Sequence, residues 1–417
     1  MTTRLDIDLT CAEGDLVAAT QNVQMESIQT NILTDAHRNL SAVAMTLEGL
    51  VGEGKAMSPV VAQMSQSVVT NVSGGSLPSD LISLEGYTGT AEEQTQLSLE
   101  GLKDKLVALW EKIKLAVKRA IQAVADFFSK MMGGMKKLEQ KVEMMSARAD
   151  VLQKQVRSTD VKMSITNVDR LMLKGTVSPR IVQDGLKIMY QEVYSSTTEY
   201  TGIVGGYQKQ IENMLSGGAE NSDAPAAIAE ADSKMTSQSL RVFKKLTGNT
   251  ELPGGRAIRI DMYDTTEKKN VPKDMSSKFL SAIKVVDHPG VKNPPSKVEA
   301  EIPTPRWVGD RLKEVSGFTQ AYSKDKREQR IDEFAKMKAS TMAKLEKQLE
   351  GSSDKAIGEA ANRIVRSFLD AVQKDYSASI ARLDAYIFRY MRAVVAYLED
   401  CLTAYEKATG KKEEATA

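Results

Sequence analysis

Apolar side chains recur every three or four residues in two adjoining stretches of the chain. The first stretch predicts an amphipathic helix of about seven turns after Gly101. Its apolar positions are Leu102, Leu106, Leu109, Trp110, Ile113, Val117, Ile121, Val124, Phe127 and Phe128. Gly133-Gly134 then predicts a helix end. The second stretch steps alternately by three and four residues, which is the spacing of a helical hairpin or short coiled coil. Its seam is Met135, Leu138, Val142, Met145, Ala149, Leu152 and Val156.

Another helical region is predicted over residues 178–215, followed by a linker over about 217–232. Ser178-Pro179 suits its start, because Ser is a good N-cap and Pro a good first helical residue.

Two long helices are predicted near the carboxyl end, over 308–349 and about 354–408. The Gly-Ser-Ser segment between them favours an antiparallel hairpin. The second helix carries a seam with the same alternating spacing, formed by Ile380, Leu383, Ile387, Tyr390, Val394, Tyr397 and Cys401.

The segment over 248–305 differs from these helices. Seven of the eleven prolines fall between Pro253 and Pro305. Within it, residues 258–262 alternate apolar and charged side chains, which predicts a strand, and residues 283–286 are a candidate second strand. The predicted fold is therefore mostly α, with elongated helical hairpins or a coiled-coil-like bundle and a small Pro-rich β or irregular insert.

The first hundred residues have their own composition, with no Phe or Trp. Helical periodicity is weak up to Gly49, and residues 49–91 are rich in Gly, Ser, Thr, Val and Pro, which predicts loop or disorder. The predicted organisation is an acidic, partly disordered segment (1–100), a basic amphipathic helix with a heptad helix (101–157), a helical region with a linker (158–247), the Pro-rich insert (248–305) and a long helical hairpin (306–417).

Charge separates the same segments. The whole chain carries a net charge of +1, but residues 1–100 hold three basic and thirteen acidic residues, a net −10, and residues 101–417 carry +11. The acidic segment can offset the basic remainder, which alone would contact DNA phosphates non-specifically. The alternative is that these surplus charges form only a solvated surface.

Catalytic chemistry has little support in this sequence. Two Cys and two His exclude a disulfide framework and make a structural zinc site unfavourable. His37 and His288 have no Cys close in sequence, and the chain has no nucleophile elbow, phosphate-binding loop or HExxH motif. We therefore expect no catalytic residue, no cofactor and no metal. An enzyme within the 250–305 insert is the least favoured alternative.

A tetrapeptide occurs twice in and beside the acidic segment. Ser83-Leu84-Glu85-Gly86 recurs fifteen residues later as Ser98-Leu99-Glu100-Gly101. One interpretation is helix capping, since Ser followed by an early Glu is common at helix starts. That interpretation suits Ser98 but does not explain a repeat within a Gly-rich stretch. The other interpretation is a protease recognition sequence, because an extended segment of small and acidic residues is accessible to proteases.

These motifs resemble those of the internal head proteins of large tailed bacteriophages. Such proteins carry acidic N-terminal propeptides, which the phage prohead protease cuts after a small or aliphatic residue, any residue and Glu. Ser83, Glu85 and Gly86 fit that pattern, as do Ser98, Glu100 and Gly101. The resemblance implies a precursor packaged in the prohead core, maturation by cleavage and, often, ejection with the DNA into the host.

The favoured function is accordingly a structural protein of the inner phage head, made in the host cytoplasm and processed after Glu85 and Glu100. The expected partners are the prohead protease, other head or core proteins and non-specific DNA, and the seams allow self-association. The alternative is a membrane-interacting helical effector or translocator, in which the 102–128 helix contacts lipid. The simpler explanation is that this helix packs against the following heptad seam, Met135 to Val156.

Overall fold

The structure of the chain is a computed structural model, and helices make up most of it. It describes residues 4–73, 90–155, 161–165, 167–216, 224–247, 250–264, 278–291, 297–325, 340, 343 and 377–416. The helices are α1 (Arg4–Gly52), α2 (Pro59–Ser73), α3 (Ala91–Gln155), α4 (Val168–Leu171), α5 (Pro179–Lys187), α6 (Ser195–Ser216), α7 (Ala224–Phe243), α8 (Pro305–Lys324) and α9 (Ser377–Thr416). A π-helical segment, Ile188–Tyr194, joins α5 to α6. The mostly α fold is therefore confirmed.

The four strands form two small antiparallel sheets among the described residues. They are β1 (Lys162–Ile165), β2 (Arg256–Asp264), β3 (Lys278–Asp287) and β4 (Val298–Glu301). β2 pairs with β3, with Arg256 opposite Asp287. This pair confirms both strand predictions in the Pro-rich insert. β1 pairs with β4 and so attaches the end of the insert to the segment that follows α3.

The long helix α3 is the spine of the fold. α1, α8 and α9 all pack against it. The main hydrophobic core joins these helices through residues of α1 such as Leu16 and Val23, of α3 such as Phe127 and Met135, and of α9 such as Phe388. Every member of the α9 seam from Ile380 to Cys401 is buried. Its three-and-four spacing therefore marked a core-facing stripe.

The predicted break at Gly133-Gly134 is wrong, because α3 runs without interruption through both glycines. Neither residue has the positive φ of a helix-ending glycine. Gly134 instead allows close packing: an added Cβ would lie 2.9 Å from two carbons of the Phe388 ring. The two predicted helices are one helix, and its glycine marks the crossing with α9.

Two loop predictions also differ from the structure. Residues 59–73, expected to be loop or disorder, form α2. α2 is held by a satellite cluster separate from the main core; its buried members are Leu40, Val43, Ala44, Leu47, Met57, Ala62, Leu99 and Leu102. Likewise, α7 begins at Ala224, inside the predicted linker. Its Ala-rich start favours helix, and Pro is tolerated in a first turn.

Other predictions lie partly outside the described residues. Ser178 caps α5 as expected, and its side chain accepts a hydrogen bond from the amide of Ile181 at 3.3 Å. α8 packs against α9. The predicted Gly-Ser-Ser turn at 351–353 and most of 326–376 lie outside the described residues.

The two adjacent glycines provide a matched test of the helix crossing. Gly133→Ala should raise the free energy of unfolding by about 0.5–1 kcal/mol, because Ala favours helix and nothing lies within 4 Å of the new Cβ. Gly134→Ala should lower it by about 1–3 kcal/mol through overpacking against Phe388. Urea unfolding of both variants measures the difference. Equal stabilisation by the two substitutions would contradict the close crossing.

Candidate functional site

The first predicted processing sequence lies outside the described residues, and the second lies within α3. Ser83, Glu85 and Gly86 belong to the undescribed range 74–89. Ser98 is buried, Glu100 is exposed and Gly101 is half-buried, all three in helical conformation. The Glu100–Gly101 peptide bond is therefore not extended in this structure.

Helix α3 begins well before Ser98. The Thr90 hydroxyl accepts a hydrogen bond from the Glu93 amide at 3.2 Å, and the Glu93 carboxylate accepts one from the Thr90 amide at 2.8 Å. This reciprocal pair is a capping box. The interpretation of Ser98 as a helix cap is therefore wrong, because Thr90 has that role.

The satellite cluster holds the processing sequence in place. Leu99 and Leu102, on either side of the Glu100–Gly101 bond, are buried against residues of α1 and Met57. The Thr95 hydroxyl accepts a hydrogen bond from the Met57 amide at 2.9 Å. The start of α3 is thus fixed by a small cluster, separate from the main core that holds the rest of the helix.

Glu13 of α1 is the centre of a cluster of charges. Its side chain is buried, and its carboxylate lies 3.0 Å from the guanidinium of Arg170. It also accepts a hydrogen bond from Arg392 and lies 4.0 Å from Arg389. Burial lowers the pKa of Arg392, and the negative charge of Asp6 partly opposes that shift. One acidic residue of α1 thereby meets cations from α4 and α9.

Lys141 makes a second connection between α1 and the remainder of the chain. Its side chain is only 4% exposed, and its ammonium group lies 2.6 Å from Asp6 and 2.5 Å from Glu399. Arg148 extends the network with a 2.8 Å contact to Glu406, whose hydrogen bond raises the pKa of Arg148. A buried ammonium group requires such partners. Lys141 therefore ties α1, α3 and α9 together.

Two more acidic side chains of α1 contact α3. Glu26 lies 3.5 Å from Arg119, and Glu48 lies 3.1 Å from Lys103. Both cations are exposed, so these pairs contribute little to stability. They show that α1 faces basic residues along its length. The opposite charges of residues 1–100 and 101–417 are thus in direct contact.

The apolar face of the predicted lipid-binding helix is covered by protein. Trp110, Phe127 and Phe128 are buried in the main core, which includes residues of α1 and α9. The seam from Met135 to Leu152 is also buried there, and Val156 lies outside the described residues. None of the described helices has an apolar stretch that could cross a membrane.

The two histidines lie in different parts of the structure, one in α1 and one in a turn after β3. His37 is buried beside Trp110, and its Nδ1 lies 3.3 Å from the Ser41 hydroxyl. The Nδ1 of His288 accepts a hydrogen bond from the Gly290 amide at 3.1 Å within a turn. Among the described residues, no group of three or more His, Cys, Asp and Glu is placed to hold a metal ion.

The chain is similar to a known family of phage proteins. Residues 6–400 match the family model described as phiKZ-like phage internal head proteins. No curated protein and no solved structure shows significant similarity to the chain. The matched range covers nearly all of α1 and extends into α9 as far as residue 400.

Glu13→Gln tests the buried charge cluster. The change keeps the shape of the side chain but removes the charge opposite Arg170 and Arg392, so the free energy of unfolding should fall by about 1–3 kcal/mol. Asp15→Asn is the matched control, because Asp15 is exposed on the same helix and should shift stability by less than about 0.5 kcal/mol. Thermal and urea unfolding measure both values. Equal effects would show that Glu13 does not hold α1 in place.

Proposed function

Since the chain belongs to the phiKZ-like phage internal head proteins, we propose that it is made as a precursor and cut by the phage prohead protease after Glu85 and Glu100. As an internal head protein it is a structural component inside the virion capsid, together with other head proteins. In this proposal the acidic segment 1–100 is a propeptide that is removed during head maturation. Gly86 and Gly101 are the new amino termini.

The contacts of α1 give the propeptide a physical role. Asp6, Glu13, Glu26 and Glu48 each meet a Lys or Arg beyond residue 101. While α1 is in place, the −10 charge of its segment offsets the +11 charge of the remainder. The precursor is then nearly neutral, and it attracts the phosphate backbone less strongly than the basic remainder would alone.

Cleavage changes that balance. The remaining chain is a cation enclosed with a polyanion, and each phosphate contact releases counterions from the DNA. We propose that the mature protein is packaged with the DNA through non-specific, salt-sensitive contacts. Ejection with the DNA into the host is a further element of this proposal.

Access to the Glu100–Gly101 bond requires local unfolding. A protease binds an extended segment, so the first turns of α3 must unwind before the cut. That opening breaks the satellite cluster around Leu99 and Leu102 but leaves the main core of α3 intact. Local opening costs less than global unfolding where fewer apolar contacts are lost. The location of the site on the smaller cluster therefore supports cleavage in the folded precursor.

The membrane alternative has no support from a specific contact. The aromatic face of the 102–128 helix is buried within the chain, as described above. Glu85 and Glu100 are recognition residues for another enzyme, and no catalytic role is proposed for any residue of this chain.

Mass spectrometry of purified virions tests the processing directly. Amino-terminal peptides should begin at Gly101 or Gly86, with the sequence before them depleted. The proposal would be falsified if peptides that span the Glu100–Gly101 bond and peptides that span the Glu85–Gly86 bond were both found at full abundance.

Leu40→Ala tests the local opening of α3. Leu40 is buried in the satellite cluster, and loss of such a side chain costs about 2–5 kcal/mol. In the isolated full chain, a Glu-specific protease should then release the fragment that begins at Gly101 at least about tenfold faster, since 1.4 kcal/mol corresponds to a factor of ten.

Leu312→Ala is the matched control for that experiment. It makes the same substitution at a buried position of α8 in the main core. Its rate of cleavage after Glu100 should stay close to that of the unchanged protein. If both variants are cut at the same increased rate, cleavage follows global unfolding and the satellite cluster has no special role.

A further inference from the structure

A basic cleft lies between α1, the β2–β3 sheet and the first half of α9. Its volume is about 640 Å³. Its charged lining consists of Arg170, Arg256, Lys284, Arg382, Arg389 and, as the one acidic residue among the described lining, Asp169. α1 contributes uncharged side chains to the opposite wall, including Thr20, Gln21 and Gln24. Guanidinium, ammonium, amide and hydroxyl groups thus share one cleft.

The wall formed by α9 is set in place by packing. Arg382 and Arg389 are seven residues apart, two turns of helix, and therefore lie on the same face. Between them, the Tyr386 hydroxyl donates a hydrogen bond to the carbonyl of Pro253 at 2.7 Å. A second hydrogen bond fixes the turn at Pro253, because the amide of Gly254 donates to the carbonyl of Met172 at 2.8 Å. The cations of the cleft therefore belong to a fixed framework.

Carboxylates lie near three of these cations. Glu13 lies 3.0 Å from Arg170 and 4.0 Å from Arg389, and Asp287 binds Arg256. Burial, followed by the positive charges of Arg170 and Arg256, lowers the pKa of Arg389. The guanidinium of Arg389 is therefore repelled by neighbouring cations, although it also lies 4.0 Å from the carboxylate of Glu13. An anion bound in the cleft would relieve that repulsion.

We infer that the basic cleft binds phosphate groups of the nucleic-acid backbone. Arginine is suited to this role, because its planar fork of N–H donors matches the oxygens of a phosphate. Several guanidinium groups around one space favour an anion with several acceptor oxygens, and the amide groups of Gln21 and Gln24 add uncharged donors. This inference rests on the proposed function, since that function places the protein beside packaged DNA. The inference assigns a defined binding site to the contact with DNA, which the proposed function attributes to Lys and Arg side chains spread over the surface.

The position of α1 gives the cleft two forms. In the full chain α1 is one wall of the cleft, which is open to solvent elsewhere. Departure of α1 after cleavage at Glu100 would remove this wall and leave a more open basic face, which a DNA backbone could follow. The same cut that changes the net charge would thus uncover a particular binding surface.

The test compares two double variants of the full chain with the same loss of charge. Arg382→Gln/Arg389→Gln changes the cleft, and Lys112→Gln/Lys118→Gln changes exposed positions on α3. Binding is measured by fluorescence anisotropy of a labelled duplex oligonucleotide over a series of salt concentrations. The cleft variant should bind at least about tenfold more weakly, and its salt slope should fall by about 2, because about 0.9 counterions are released per contacted phosphate. The control should bind within about twofold of the unchanged chain.

Inorganic phosphate and pyrophosphate are tested as competitors and, separately, by calorimetry. Competition that is lost in the cleft variant supports the site and shows that single phosphate groups suffice. DNA binding that depends on the cleft but resists these competitors also supports the site and assigns it to the polymer. Equal losses in the two double variants, or no DNA binding by the unchanged chain at low salt, would overturn the inference.

Circular dichroism and unfolding of both variants show whether lost binding reflects lost folding. None of these outcomes depends on whether residue 100 is cut in virions, so failure here is separate from failure of the processing proposal.

Discussion

The position of α1 on α3 and α9 is the constraint on which the rest of this structure depends. Lys141 and Glu13 are buried charges, and each would be costly without a partner from another part of the chain. Lys141 meets Asp6 and Glu399, and Glu13 meets Arg170 and Arg392. Apolar packing of α1 against α3 in the main core removes these groups from water. The hydrophobic contact and the ion pairs therefore fix the same arrangement of the helices.

This arrangement explains how an almost neutral chain can contain a basic protein. Four acidic side chains of α1 lie against Lys or Arg side chains, so part of the opposite charge cancels locally as well as in total. α1 also forms one wall of the basic cleft. Removal of one segment would therefore change three properties together: the net charge, the pairing of the buried cations and the access to the cleft. The satellite cluster at the start of α3 is the part of the structure that can open for cleavage before α1 leaves the main core.

The amino-acid sequence predicted those features that depend on neighbours along the chain. The α9 seam, the Ser178-Pro179 start of α5 and the strand at residues 258–262 follow from local periodicity and capping. Gly133-Gly134 misled because a glycine that ends a helix and one that admits a neighbouring ring look alike in sequence; Phe388 decides between them. The partners of Glu13 lie 157 and 379 residues away, in Arg170 and Arg392. The charge asymmetry indicated that opposite segments could meet, but only the tertiary packing identifies which side chains do so.

Native-state hydrogen exchange of the full chain tests the docking of α1 most directly. If α1 is part of the main core, its amides over residues 9–23 should exchange as slowly as those of α3 over residues 113–145, and both should lose protection together as denaturant is added. Exchange of the α1 amides at rates typical of an isolated helix, while α3 remains protected, would contradict the account. In that case the acidic segment would not cover the basic residues. The negative and positive charges would cancel in the net charge of the chain but would not be in contact.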